Sequence, residues 1–302
     1  MRERRIDVGK KSSPVLFNLT SSTRFQNDFD HFNKPIEIYV FVDPLCPISW
    51  SLESNLKKLI VEYGCYFVMR SVSSGNLYSV NPKVPKRRTK IKDIDIKIAS
   101  KSYVNCPENE VELKINSKWD VTLAIKAAEL QGRKAGAKFL RKLQEYLFIS
   151  KRSIMNREDL IKIAQEVKLD VDEFNKDLDS KVAKRALQAD LNLAYELEIE
   201  TTPAVVLFNK ENLDDGLKVS GLYDYDVYVD ALFESLNRKV KRCIKPSLEQ
   251  FLSQFTLVGT KEVAFVFDWS TEKAEKELKK LLLSQKVKKI DVEKGKYWEY
   301  IG

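Results

Sequence analysis

Histidine is nearly missing from this 302-residue chain: His31 is the only one. Cysteine is scarce too, with Cys46, Cys65, Cys106 and Cys243 separated by 19, 41 and 137 residues. With one imidazole and no close cysteine pair, the clip that holds a zinc ion cannot be assembled from neighbouring residues, so no metal is expected. Long apolar runs are also absent, and nothing approaches the roughly 20 residues that span a bilayer. The opening "MRERRIDVGKKSSPVLFNLTSS" has charge but no extended apolar core of the signal-peptide kind. These absences predict a cytoplasmic protein without a membrane partner. In a reducing compartment the four cysteines read as four free thiols.

What is present is ordinary for a soluble globular chain: 32% charged and 43% hydrophobic residues in 35.0 kDa. That is enough for one large domain and a small one. The net charge of +8 permits acidic partners without demanding nucleic acid. Residues 1–34 read as a polar arm. "IEIYVFVD" (36–43) is a β-forming apolar run suited to a buried strand, and "SWSLESNLKKLIVEYG" (49–64) puts Trp50, Leu52, Leu56, Leu59 and Ile60 near helical spacing. "CYFVMRSVS" (65–73) reads as a second strand, which makes a β-α-β unit. Residues 81–101 carry eight Lys or Arg against two Asp, either a solvated loop or a basic recognition patch, and the solvated surface is the better reading. A helical block follows over about 117–197, with a break near Gly132–Gly136 and N-cap candidates Asn156 and Asp170. "TPAVVLFN" (202–209) and "LKVSGLY" (217–223) form a predicted hairpin turning at "LDDG", and "DYDVYVDALFESLNRKV" a closing helix.

The chemistry concentrates in "VDPLCPISW" (42–50). Cys46 stands where a helix starts after a strand, and a helix N-terminus lowers the pKa of a nearby thiol. The position three residues on is Ser49, and a hydroxyl cannot release a mixed disulfide. "TTPAVVLF" has the form of the Thr-Pro that, in thioredoxin-like folds, is a cis-proline facing the thiol: Thr202–Pro203. Such a bond exposes backbone groups to an extended peptide. Cys46 is therefore either a thiol that forms a mixed disulfide with an external thiol such as glutathione, or a residual one without catalytic duty.

"IEIYVFVDPLCPISWSLE" (36–53), "KAAELQGRKAGAKFLRKLQEYLFIS" (126–150) and "GLKVSGLYDYDVYVDALFE" (216–234) together resemble the YjbH family of Bacillota, also called SpxH. Weaker similarity continues to "GKYWEYI" (295–301). The resemblance implies an α/β, thioredoxin-like (DsbA-like) fold over 35–243 with an inserted helical domain. It also implies a non-catalytic adaptor, without cofactor, that presents the stress transcription factor Spx to the ClpXP protease. Family members often show Cys-Pro-x-Cys, where this chain has Cys46, Pro47 and then Ser49; some carry a zinc-suited His/Cys-rich start, where this chain has only His31. The candidate partner-binding rim is Pro44, Leu45, Cys46, Trp50, Thr202 and Pro203, followed by Tyr223, Tyr225 and Tyr228, since aromatics carry much interface energy. For each aromatic the competing reading is core packing.

Residues 244–302 read as helix, strand ("EVAFVFD"), helix and hairpin, similar to a winged helix that lacks one helix. From 245 onward there are eleven Lys, no Arg and nine acidic residues, a net of +2. The helix "TEKAEKELKK" interleaves Glu and Lys as a solvated face does, and base readout leans on Arg, Asn and Gln. No DNA partner is expected, and the unit reads as a protein-binding or bracing domain. The rival to the adaptor reading is a monothiol oxidoreductase or transferase using Cys46.

Overall fold

Strand β1 (Ile36–Val42) owes its continuous apolar sequence to an interior place in a four-stranded sheet, between β2 (Phe67–Ser73) and β3 (Ala204–Asn209), with β4 (Asn212–Ser220) beyond β3. Ile36, Ile38 and Val40 pack on one face with helices α1 (Pro47–Tyr63) and α7 (Tyr225–Ser235), and Phe41 packs on the other with the helical block. The computed structural model describes residues 34–74, 117–154, 156–292 and 295–302. Residues 1–33 with His31, the basic stretch 81–101 and Cys106 lie outside the described residues.

Helix α1 (Pro47–Tyr63) begins with a proline at its first turn, where the missing N–H leaves no bond unmade. Strand β2 (Phe67–Ser73) then returns parallel to β1, with Ile36 opposite Phe67. The block comprises α2 (Lys118–Leu130), α3 (Arg133–Gln144) with a π-helical turn at Glu145–Ile149, α4 (Arg157–Glu166), α5 (Val171–Asp177) and α6 (Lys181–Glu196). The break between α2 and α3 falls at Gln131–Gly132, at the edge of the predicted interval, whose remaining residues Arg133–Gly136 are already helical. Asn156 and Asp170 cap their helices by accepting from Asp159 N and Glu173 N, as the sequence predicts; Ser117 and Ser180 do the same elsewhere. Gly136 lets α3 lie against α2, since a Cβ there would stand 2.3 Å from Glu129 Cγ.

Strand β3 (Ala204–Asn209) pairs antiparallel with β1 and with β4 (Asn212–Ser220), and α7 (Tyr225–Ser235) closes the unit. The hairpin does not turn at "LDDG", which lies within β4. The turn is Lys210–Glu211, where Asn209 accepts from Glu211 N at 3.0 Å and donates to Ser235 O at 3.0 Å. A polar side chain that clamps its own backbone made the tighter turn.

The C-terminal unit runs α8 (Leu248–Phe255), β5 (Leu257–Gly259), α9 (Thr260–Phe267), α10 (Thr271–Leu283), β6 (Val287–Val292) and β7 (Gly295–Tyr300), with sheet order β5-β7-β6. "EVAFVFD", predicted as a strand, is most of helix α9. Val263, Ala264, Val266 and Phe267 are all buried, so the helical alternation that would have identified it is erased. The resulting order is α-β-α-α-β-β.

This unit docks on α1. The apolar side of α1 faces the sheet, while Lys57 and Lys58 on the opposite side reach Glu262 of α9, at 2.8 Å, and Asp268. The connecting segment crosses the end of α1, with Cys243 N donating to Glu62 O at 2.7 Å and Tyr66 Oη donating to Lys241 O at 3.1 Å. That crossing brings Cys243 onto Cys65, and the two form a disulfide across 178 residues. The expectation of four free thiols is corrected accordingly; Cys46 is the free cysteine among the described residues.

Candidate functional site

The site lies where β1 ends and α1 starts. The chain turns through Asp43–Cys46, closed by Cys46 N donating to Asp43 O at 3.0 Å and Leu45 N donating to Asp43 Oδ1 at 2.9 Å. Cys46 is the N-cap residue of α1 and is half-buried. Ser49 is buried, and its Oγ accepts from Asp43 N at 3.2 Å. The position of a resolving thiol is thus occupied by a hydroxyl that satisfies the backbone of the turn.

The helix N-terminus does not activate Cys46. Burial pushes the thiol up to about 11; the Ser49 N–H opposes the rise and the charge of the Asp43 carboxylate adds to it. This corrects the depressed value that helix position alone predicts. At neutral pH the thiol therefore stays protonated, and the thiolate is the nucleophilic form. Asp43 is itself held above the ordinary carboxylate value, first by burial, with the Leu45 N–H bond opposing.

The Thr202–Pro203 peptide bond is cis. Pro203 O accepts from Gly221 N at 2.8 Å, and Gly221 adopts φ +110°, a conformation that favours glycine. Tyr228 Oη donates to Gly221 O at 3.2 Å and accepts from Tyr223 N at 3.1 Å. Asn55 of α1 donates to Tyr223 O at 2.9 Å. Tyr228 therefore holds the proline loop from beneath, and Tyr225 is anchored by donating to Glu62 Oε2 at 2.9 Å.

Of the predicted rim, Cys46 and Thr202 are partly accessible and Tyr223 is 46% exposed. Pro44, Leu45, Trp50, Pro203, Tyr225 and Tyr228 are buried. The reading of Trp50, Tyr225 and Tyr228 as contact aromatics gives way to core packing. Trp50 is covered by the helical block, with Phe148 at 5.7 Å between ring centroids and the Arg141 guanidinium 4.1 Å above its ring. The sequence reading missed Asp43, Asn55 and Arg141. Asp43 could have been found from Asp-Pro at a strand end, a common turn opening. Asn55 and Arg141 carry no local signal.

Beside the site, α2 and α6 bury Lys126 with Glu129 and Asp190; Lys126 Nζ lies 2.9 Å from Glu129 Oε2, and Asp190 Oδ2 accepts from Ser73 N at 3.0 Å. Among the described residues, no three His, Cys, Asp or Glu side chains group as metal ligands. No helix among them is long and apolar enough to cross a membrane.

The chain matches the thioredoxin family over residues 39–230. It is 44% identical to the ClpXP adapter protein SpxH of Bacillus subtilis, over 92% of this chain and 93% of that protein. It is 42% identical to the ClpXP adapter protein SpxH of Halalkalibacterium halodurans, over 89% and 90%. A probable DsbA oxidoreductase from Streptomyces coelicolor superposes with a TM-score of 0.49 at 17% identity, covering 69% of this chain and 93% of its own. With a thioredoxin match across most of its length and identities above 40% along about nine-tenths of it, the chain belongs to the family of the ClpXP adapter protein SpxH, built on a thioredoxin-like fold.

Proposed function

We propose that this protein is a non-catalytic cytoplasmic adaptor that binds the transcription factor Spx and promotes its degradation by the ClpXP protease. The observation that carries the proposal is the 44% identity over 92% of the chain to a protein named as a ClpXP adapter. The site supports it: Ser49 cannot resolve a mixed disulfide, and the Cys46 thiol is pushed up to about 11, so the chemistry of an exchanger is missing while the shape of the fold remains. An adaptor needs no chemistry. Holding a substrate beside a protease raises its local concentration, into the millimolar range for short tethers, and binding can favour the conformer that exposes a degradation tag.

The proposed contact surface is the accessible part of the rim, Cys46, Thr202 and Tyr223, on a backbone fixed by Tyr228 and Asn55. The C-terminal winged-helix-like unit braces α1 in this reading and reads no DNA. A half-exposed Cys46 in a fold that keeps a cis-proline at Pro203 favours the rival, a monothiol oxidoreductase or transferase; its raised thiol pKa counts against that rival.

The test is degradation of purified Spx by ClpXP with and without the protein, using wild type and Cys46→Ala. Acceleration by both supports an adaptor that works without the thiol. Loss of acceleration in the variant alone assigns Cys46 to the contact. No acceleration by either, with turnover in a glutathione-coupled thiol assay, establishes the rival instead.

A further inference from the structure

We propose that the Cys65–Cys243 disulfide is a thiol-exchangeable latch, in which Cys65 is the sulfur captured by a monothiol of the glutathione class. The two sulfurs are unequal. Cys65 is exposed at the start of the segment after α1, whereas Cys243 is half-buried on the connecting segment and its Sγ accepts from Cys65 N at 3.2 Å. An incoming thiolate reaches the exposed sulfur. The leaving thiolate on Cys243 keeps that N–H bond and follows the cationic Arg242 in the chain, both of which favour the charged form.

The step balances. A monothiol thiolate attacks Cys65 Sγ, the Cys65–Cys243 bond breaks, and Cys243 departs as thiolate with Cys65 carrying the mixed disulfide. A second monothiol then attacks the bound monothiol's sulfur, which releases the oxidised dimer and leaves both cysteines reduced. Cys46 takes no part.

The latch lies at a junction. The segment it fastens joins α7 to α8, and apart from the disulfide it is held to the end of α1 by Cys243 N on Glu62 O, Tyr66 Oη on Lys241 O and the Arg242–Glu62 ion pair at 3.2 Å. In that ion pair the Arg242 side chain is 60% exposed and the Glu62 side chain is buried. Opening the disulfide leaves the segment on these bonds and on Val240, which packs against the core, while α9 stays docked through the buried Lys57–Glu262 pair. Reduction therefore frees the connection without separating the two units.

The full-length oxidised protein is incubated with millimolar reduced glutathione at pH 7.5 under nitrogen, quenched in acid, alkylated and mapped by peptide mass. At partial reaction the glutathione adduct is expected on Cys65 at least fivefold over Cys243. Trypsin is expected to cut at Lys239, Lys241 and Arg242 about tenfold faster after reduction, and C65S/C243S should reproduce that pattern. Should the double variant fail to fold, reduced wild type decides alone. An adduct mainly on Cys243, exchange seen only in denaturant, or equal resistance to trypsin before and after reduction each overturns the proposal.

Discussion

At the scale of single residues, the decisive property of Cys46 is its depth. A helix N-terminus stabilises a thiolate by a modest amount, and here the cost of placing charge in a poorly solvated turn is larger. The alkylation rate of Cys46 by iodoacetamide should therefore keep rising with pH toward about 11 instead of levelling near pH 8 to 9. Mass-resolved labelling over pH 6–11 measures this, and a plateau by pH 8 would reject the buried-thiol account. Lys126 offers a second test. Burial pushes Glu129 up to about 7, with Lys126 opposing, and Asp190 is raised for the same leading reason. A carboxyl whose folded pKa lies above its unfolded one favours the fold at low pH, and that contribution is lost as pH rises through the folded value. Lys126→Met, which leaves two buried carboxyls without a cation, should destabilise by about 3–5 kcal/mol at pH 8 and by clearly less at pH 5. Urea unfolding at the two pH values reads the difference. The sequence showed Cys46 and Ser49 and the chemistry their spacing forbids, because resolving thiols are a local matter. It could not show the burial of Trp50, which depends on Arg141 and Phe148, 91 and 98 residues downstream.

At the scale of elements, α1 is covered on two sides by different partners. Its polar side would be solvent-facing in an isolated sheet-and-helix unit; here it carries Lys57 into contact with Glu262. Burial would raise the Glu262 carboxyl, but Lys57 and then Arg141 overcome this and hold it below the ordinary value. A lowered folded pKa contributes stability above the unfolded value that is lost on acidification. Glu262→Gln should thus cost toward the lower end of about 3–5 kcal/mol at neutral pH, because Glu53 remains 3.5 Å from Lys57, and the deficit should shrink as pH drops below 4. Urea midpoints at pH 7 and pH 3.5 test this; equal deficits at both would refute the ion-pair account. Elements with local punctuation were legible. Asn156 and Asp170 announced their helices, and the Pro44-Leu45-Cys46-Pro47 turn separated β1 from α1. Elements whose pattern is set by burial on all sides were not. Helix α9 looked like a strand because nearly every side chain in "EVAFVF" is covered. The "LDDG" stretch lost its turn to Asn209, whose side-chain bonds reach residues that the local sequence does not identify as neighbours.

At the scale of the whole molecule, the thioredoxin-like unit and the C-terminal unit are joined by a covalent tie as well as a packed face. Closing so long a loop in the unfolded chain gives a disulfide an entropic effect of about 5 kcal/mol in the chain-entropy treatment, with measured values commonly 2–5. Removing it as C65S/C243S, or by reductant, should lower unfolding stability by about 2–5 kcal/mol in urea titrations. An unchanged midpoint would mean that the packed face alone fixes the arrangement. The architecture of the first unit was readable from strand and helix order, whereas the tie was not, since two cysteines 178 residues apart give no pairing signal until the chain is folded. Arg141 adds another consequence. From the helical block it lies over the Trp50 ring, pairs with Glu53 and donates to Leu257 O of the C-terminal unit at 2.8 Å. A swing of that unit away from α1 takes the Leu257 carbonyl from the guanidinium that lies over the indole, so in a variant whose other three tryptophans are replaced by Phe the emission of Trp50 becomes an optical gauge of whether the two halves are closed.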